Sequence, residues 1–81
     1  MSLSQKYKLE FMLHVYDTSM QAVKNSLAEF GDNFKISDSS KPQEKGNDFL
    51  ISISTEDPPL VFDICSQFGR IRSVKIDEEG N

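Results

Sequence analysis

EFMLHVYDTSMQAVKNSLAEFGDNFKISD, residues 10–38, returns 38 positions later, without a gap, as DFLISISTEDPPLVFDICSQFGRIRSVKI, residues 48–76. In this overlay Phe11 falls on Phe49, Val23 on Val61, Phe30 on Phe68 and Gly31 on Gly69, while Met12-Leu13-His14-Val15 matches Leu50-Ile51-Ser52-Ile53 and Ile36 matches Val74. Each copy reads as an apolar strand, a helix that closes on Phe-Gly, and a second strand. The doubling decides the architecture, and no catalytic motif accompanies it.

Working outward, residues 7–16 alternate strictly. Tyr7, Leu9, Phe11, Leu13 and Val15 share one face and Lys8, Glu10, Met12, His14 and Tyr16 the other, the period of two of a half-buried strand. Asp17-Thr18-Ser19 supplies helix-capping oxygens, with Gln21 three residues after Thr18 at capping-box spacing. Met20, Val23, Leu27 and Phe30 then recur as one helical stripe over about 19–30, and Gly31 is expected to end it in the left-handed region. A second strand is expected over 33–37, and the polar run 37–47, with Pro42 and Gly46, reads as a mobile hairpin loop. The third strand falls at 48–54. Asp57-Pro58 starts a second helix over 58–68, whose stripe is Val61, Ile64, Cys65 and Phe68. The fourth strand runs over 71–76 with Val74 and Ile76 inward and Arg72 at its mouth, and 77–81 reads as a solvated acidic tail.

The order βαββαβ, with right-handed crossovers, predicts one α+β domain over 1–81. It is a ferredoxin-like sandwich: a four-stranded antiparallel sheet, strands one and three central, with two helices on one face. The other face is left open and carries Met12, His14, Leu50 and Ser52, with Lys35 and Ser73 toward the edges.

Eighty-one residues with 37% hydrophobic content allow a modest core, which association would help. The net charge of −4 and pI of about 4.8 disfavour a phosphate backbone as partner. Of nine basic residues only Arg70, Arg72 and Lys75 form a group of three close together. A single cysteine rules out an internal disulfide and a Cys-cluster metal site, and no apolar run approaches membrane-spanning length. The expectation is a soluble cytoplasmic protein, with Met1-Ser2-Leu3 given no role.

The chemistries fall away in turn. His14 and Cys65 are each the only residue of their kind, and Cys65 lies on an apolar stripe, so no catalytic residue is named and no enzyme is expected. No metal or cofactor is expected either. The strand-to-helix turns Asp17-Thr18-Ser19 and Thr55-Glu56-Asp57 lack glycine and carry acids that repel phosphates. Cys65-Ser66-Gln67-Phe68-Gly69-Arg70-Ile71-Arg72-Ser73-Val74-Lys75-Ile76 resembles a helix-to-strand passage of the RRM, but it stands in the second half, and the open face lacks stacking aromatics. RNA binding is therefore the third reading, and the partner expectations include no nucleic acid and no membrane.

Phe68-Gly69-Arg70-Ile71-Arg72-Ser73-Val74-Lys75-Ile76 also looks like the closing G-x-x-S-V-x-V strand of the ACT domain, which is similar in size and strand order. Where that family carries Pro-Gly at the start of helix one, this chain has Asp17-Thr18-Ser19. The resemblance implies a regulatory domain that binds a small metabolite at a homodimer interface, with His14, Tyr16, Asp17, Thr18 and Ser19 as the candidate ligand site. The alternative is a protein-interaction module that uses Met12 and Leu50 of the open face or Phe62 of helix two. Because His14, Tyr16 and Asp17-Thr18-Ser19 replace Ser52, Ser54 and Thr55-Glu56-Asp57, the asymmetry between the copies assigns a site to the first half.

Overall fold

The computed structural model describes residues 6–40 and 45–79. Along them run β1 (Lys6–Val15), α1 (Met20–Leu27), β2 (Asp32–Asp38), β3 (Asn47–Thr55), α2 (Pro58–Ser66) and β4 (Arg70–Glu79). All neighbouring strands pair antiparallel in the order β2-β3-β1-β4, the expected ferredoxin-like α+β arrangement with β1 and β3 in the centre. No helix among the described residues is long and apolar enough to cross a membrane.

Alternation along the central strands builds the core. Leu9, Phe11, Leu13 and Val15 of β1 and Phe49, Ile51 and Ile53 of β3 project toward the helices and are buried. Val23 and Leu27 of α1 and Val61 and Cys65 of α2 close over them. Removing these seven strand and four helix side chains from water is the main force holding the domain together. Cys65 is fully buried, and loss of hydration pushes its thiol up to about 12.

The elements end differently from the sequence expectation, for identifiable reasons. Ser19, not Thr18, caps α1 by accepting from the Ala22 N–H, and the Gln21 side chain donates to Asn25 instead of closing a capping box. Both helices stop earlier than expected, at Leu27 and Ser66. The Phe30 N–H then bonds the Leu27 carbonyl, and the Phe68 N–H the Cys65 carbonyl, one residue tighter than α. Phe30 is consequently carried off the α1 stripe and is 36% exposed. Asp57 caps α2 through the Leu60 N–H with Pro58 in the first turn, as its sequence predicts.

Neither Gly31 nor Gly69 adopts the left-handed conformation. Close approach explains them instead: a Cβ on Gly69 would stand 2.0 Å from the His14 carbonyl oxygen, and one on Gly31 would stand 2.4 Å from that of Ser54. Each glycine lets an edge strand start flush against a central one.

The fourth strand departs most. Residues 77–79, expected as tail, extend β4, with Asp77 opposite Lys8 and Glu79 opposite Lys6. Lys8 on the neighbouring strand makes Asp77 acceptable there, as opposite charges across strands stabilise pairing. Ser73 adopts a φ of 56°, and the ladder slips one residue between Glu10 and Met12. The bulge turns Val74 and Ile76 to the helix face, Ile76 opposite Leu9, as expected, but on an edge the helices leave uncovered, so they are 46% and 50% exposed. The loop expected at 37–47 gives Ser37 and Asp38 to β2 and Asn47 to β3. Met1-Ser2-Leu3, Pro42 and the tail residues Gly80 and Asn81 lie outside the described residues.

Gly69→Ala is expected to destabilise the domain by about 1–3 kcal/mol, since backbone must move to admit the methyl group. Urea denaturation compared with an exposed control such as Ser66→Ala checks this.

Candidate functional site

Antiparallel pairing brings the end of β1 beside the starts of both β3 and β4. His14 stands opposite Asp48 on one side and Arg70 on the other, and Met12 stands opposite Arg72. Alternation sends all of these to the open face of the sheet. His14, Tyr16, Lys45, Arg70 and Arg72 line a cavity of about 360 Å³ at this corner.

Asp48 is the pivot. It is only 6% exposed, yet charged, and two donors meet its Oδ1: His14 Nδ1–H at 2.5 Å and Arg72 Nη2–H at 3.3 Å. An ionised carboxylate can only accept, so Nδ1 carries the proton. The His14 hydrogen bond is the largest influence on the carboxyl. With the histidine and Arg72 charges, it holds Asp48 below the ordinary carboxylate range, against the desolvation that pushes it upward. Ser40 ties the same strand start to the end of β2: its hydroxyl accepts from the Asp48 N–H at 3.0 Å and its N–H donates to Asp38 at 2.8 Å. These two bonds of Ser40 to Asp38 and Asp48 set the position of the turn's base.

Gly46 fits the turn onto β1. Its φ is +85°, and a Cβ would stand 2.3 Å from the Val15 carbonyl oxygen and 3.2 Å from His14 Nε2. Thus His14 is held by Asp48 at Nδ1, and the missing side chain of Gly46 leaves the space beside Nε2 uncrowded. Lys45, one residue earlier, is delivered to the cavity rim. The Tyr16 ring meets His14 edge-on, 5.0 Å between centroids at 87°, while 70% of the residue stays exposed.

Three cationic side chains therefore line one cavity, on a chain whose net charge is −4. Arg72 commits part of its charge to Asp48. Among the described residues, Lys45 and Arg70 have no carboxylate within ion-pair distance. A larger opening of about 410 Å³ lies at the opposite end of the sheet, but its polar groups are occupied: Lys6 pairs with Asp32, and Thr55 Oγ1 donates to the Phe30 carbonyl and accepts from the Asp57 N–H.

Of the ligand residues expected from sequence, His14 and Tyr16 come together here. Asp17 and Thr18 do not line this cavity, and Ser19 caps α1 and lines a separate opening with Met20 and Lys24. The site is also not confined to the first half, because Asp48, Arg70 and Arg72 come from the second. Asp48 and Lys45 gave no sequence signal as ligands. Arg70 and Arg72 did, as two of the only group of three basic residues close together. Met12 and Leu50, the expected interface pair, are cross-strand neighbours on the open face. Phe62 is half-buried and packs edge-on to Phe11 at 5.4 Å, so its ring belongs largely to the core.

The histidine–carboxylate contact is half of what acid–base chemistry would need; the cavity around it is open, and Cys65 lies on the other side of the sheet. Among the described residues no three His, Cys, Asp or Glu side chains are grouped to hold a metal ion. No family model, curated protein or solved structure matches the chain.

Since the Asp48 carboxyl is depressed when folded, its contribution is complete above the unfolded value of about 3.9 and is lost as pH falls through the lower folded value. Asp48→Asn is expected to cost about 1–3 kcal/mol at neutral pH and to lose less stability than the parent on acidification. Urea melts of both proteins at pH 7 and pH 3 check this; equal losses would contradict the assignment.

Proposed function

We propose that this chain is a non-catalytic binding domain that holds a small organic anion, a carboxylate or phosphate compound, at the corner formed by His14, Tyr16, Lys45, Arg70 and Arg72. The observation that carries the reading is the convergence of three cations on one cavity of an acidic protein, two of them without an acidic partner among the described residues. Lysines and arginines brought together repel one another, and a fold that gathers them gains when an anion joins.

Each group then has a role. Arg70 offers a planar fork suited to two oxygens of a carboxylate or phosphate. Lys45 adds a point charge from the turn, and the exposed Tyr16 ring offers a flat surface for the ligand's apolar body. His14 and Asp48 act as a brace. One imidazole nitrogen bonds Asp48, whose carboxylate also takes Arg72, so the pair orients the arginine. The reading agrees with the metabolite-binding role that the ACT-like closing strand suggested, but with a different residue set.

A thermal melt against a panel of amino acids, keto acids and phosphate esters tests it. A ligand at ten times its Kd adds about 1.4 kcal/mol, which for a domain of this size raises the melting temperature by roughly 6–11 °C. Arg70→Glu or Lys45→Glu, both exposed, should abolish the rise while leaving the unliganded melt nearly unchanged. A panel without any shift counts against the proposal.

A further inference from the structure

Among the described residues β4 has one edge paired to β1 and the other edge unpaired. An unpaired edge is ordinarily blunted by charge or bulges, because its open N–H and C=O groups recruit another strand. Here the charges are not spread evenly. Arg70, Arg72 and Lys75 occupy the first part of the strand and Asp77 and Glu78 the last, with Val74 and Ile76 exposed between them. A strand that is basic at one end and acidic at the other is complementary to itself when reversed. We propose that two copies of this chain associate through antiparallel β4–β4 pairing about a two-fold axis through Ile76.

The register follows from the pleat. Residues directly opposite each other in an antiparallel pair share a face, so beyond the bulge the two-fold axis must pass through a residue and not between two. Through Lys75 it would set lysine against lysine, and through Asp77 or Glu78 acid against acid. Through Ile76 it sets Ile76 against its own copy, Lys75 against the partner's Asp77, and Val74 against the partner's Glu78. An axis between Val74 and Lys75 would bring Arg72 to the partner's Asp77, but it would put both Ser73 bulges in the middle of the ladder. The other free edge lacks the pattern: β2 carries acids at both ends, Asp32 and Asp38, and its Phe34 and Ile36 are half-buried against the core.

Pairing at Ile76 makes one eight-stranded sheet with four helices on one side. It keeps both anion corners on the other side, clear of the pairing segment. The apolar surface of Val74 and Ile76 is covered, which a small core rewards.

Sedimentation equilibrium of the whole chain, from micromolar to millimolar, tests the proposal. The parent should dimerise reversibly. Lys75→Asp and Asp77→Lys each turn two attractions per dimer into two repulsions, and each should weaken association about tenfold or more. An equimolar mixture of the two single variants restores both attractions, because one chain then carries aspartate at both positions and the other lysine at both. That mixture should form a heterodimer near parental affinity. Circular dichroism checks that each variant is folded before mixing. Three outcomes would overturn the proposal: a parent that stays monomeric at millimolar concentration, a dimer indifferent to both changes, or Asp77→Lys acting alone without effect from Lys75→Asp.

Discussion

The central position of β1 is the constraint on which everything else rests. It is the one strand that pairs along its whole length with two neighbours, β3 and β4, and its alternate residues must serve two environments at once. Leu9, Phe11, Leu13 and Val15 lie under the helices. Glu10, Met12 and His14 lie on an uncovered face, where polar and apolar residues are both tolerated. A slip of one residue would exchange the two sets and place His14 and Glu10 in the core, so the hydrophobic pattern fixes the register firmly. With that register fixed, His14 must face Asp48 and Arg70.

Burial of Asp48 follows from the same pairing and explains the chemistry of the corner. A carboxylate removed from water is tolerated only with donors on it. His14 and Arg72 supply them, and in doing so stop being independent groups. Arg72 is committed in part to Asp48, and His14 is fixed with its Nδ1–H toward the carboxylate. Among the described residues Arg70 and Lys45 keep no carboxylate partner, and the Tyr16 ring stays exposed. The histidine–carboxylate pair thereby braces one side of a charged surface.

Much of the fold was legible in the residues. The βαββαβ order, the central and edge strands, the Asp57-Pro58 helix start and the burial of Cys65 all follow from period and capping chemistry. The exceptions have physical causes that no single element reveals. The extension of β4 over Asp77 depends on Lys8 on another strand. The face of Val74 depends on a left-handed Ser73, an uncommon conformation for that residue type, and its exposure on an edge that the helices do not cover. The candidate site was half legible, since His14 and Tyr16 stood out by contrast with Ser52 and Ser54. Asp48 did not, because its partner lies 34 residues away and their meeting depends on the register across a loop.

The internal repeat also explains why only one corner gathers cations. Interleaved copies give the sheet two equivalent ends, so the corner at the end of β1 has a counterpart at the end of β3. There Ser52 and Ser54 replace His14 and Tyr16, Glu10 replaces Asp48, and Asp32 and Phe34 replace Arg70 and Arg72. Both arginines are lost and one becomes an acid, which Lys6 neutralises. Duplicated architecture supplied two similar frames, and divergence of a few open-face side chains made one cationic and the other self-compensated. The charge of the corner is thus a property of the difference between the halves, while the shape that presents it is a property of what they share.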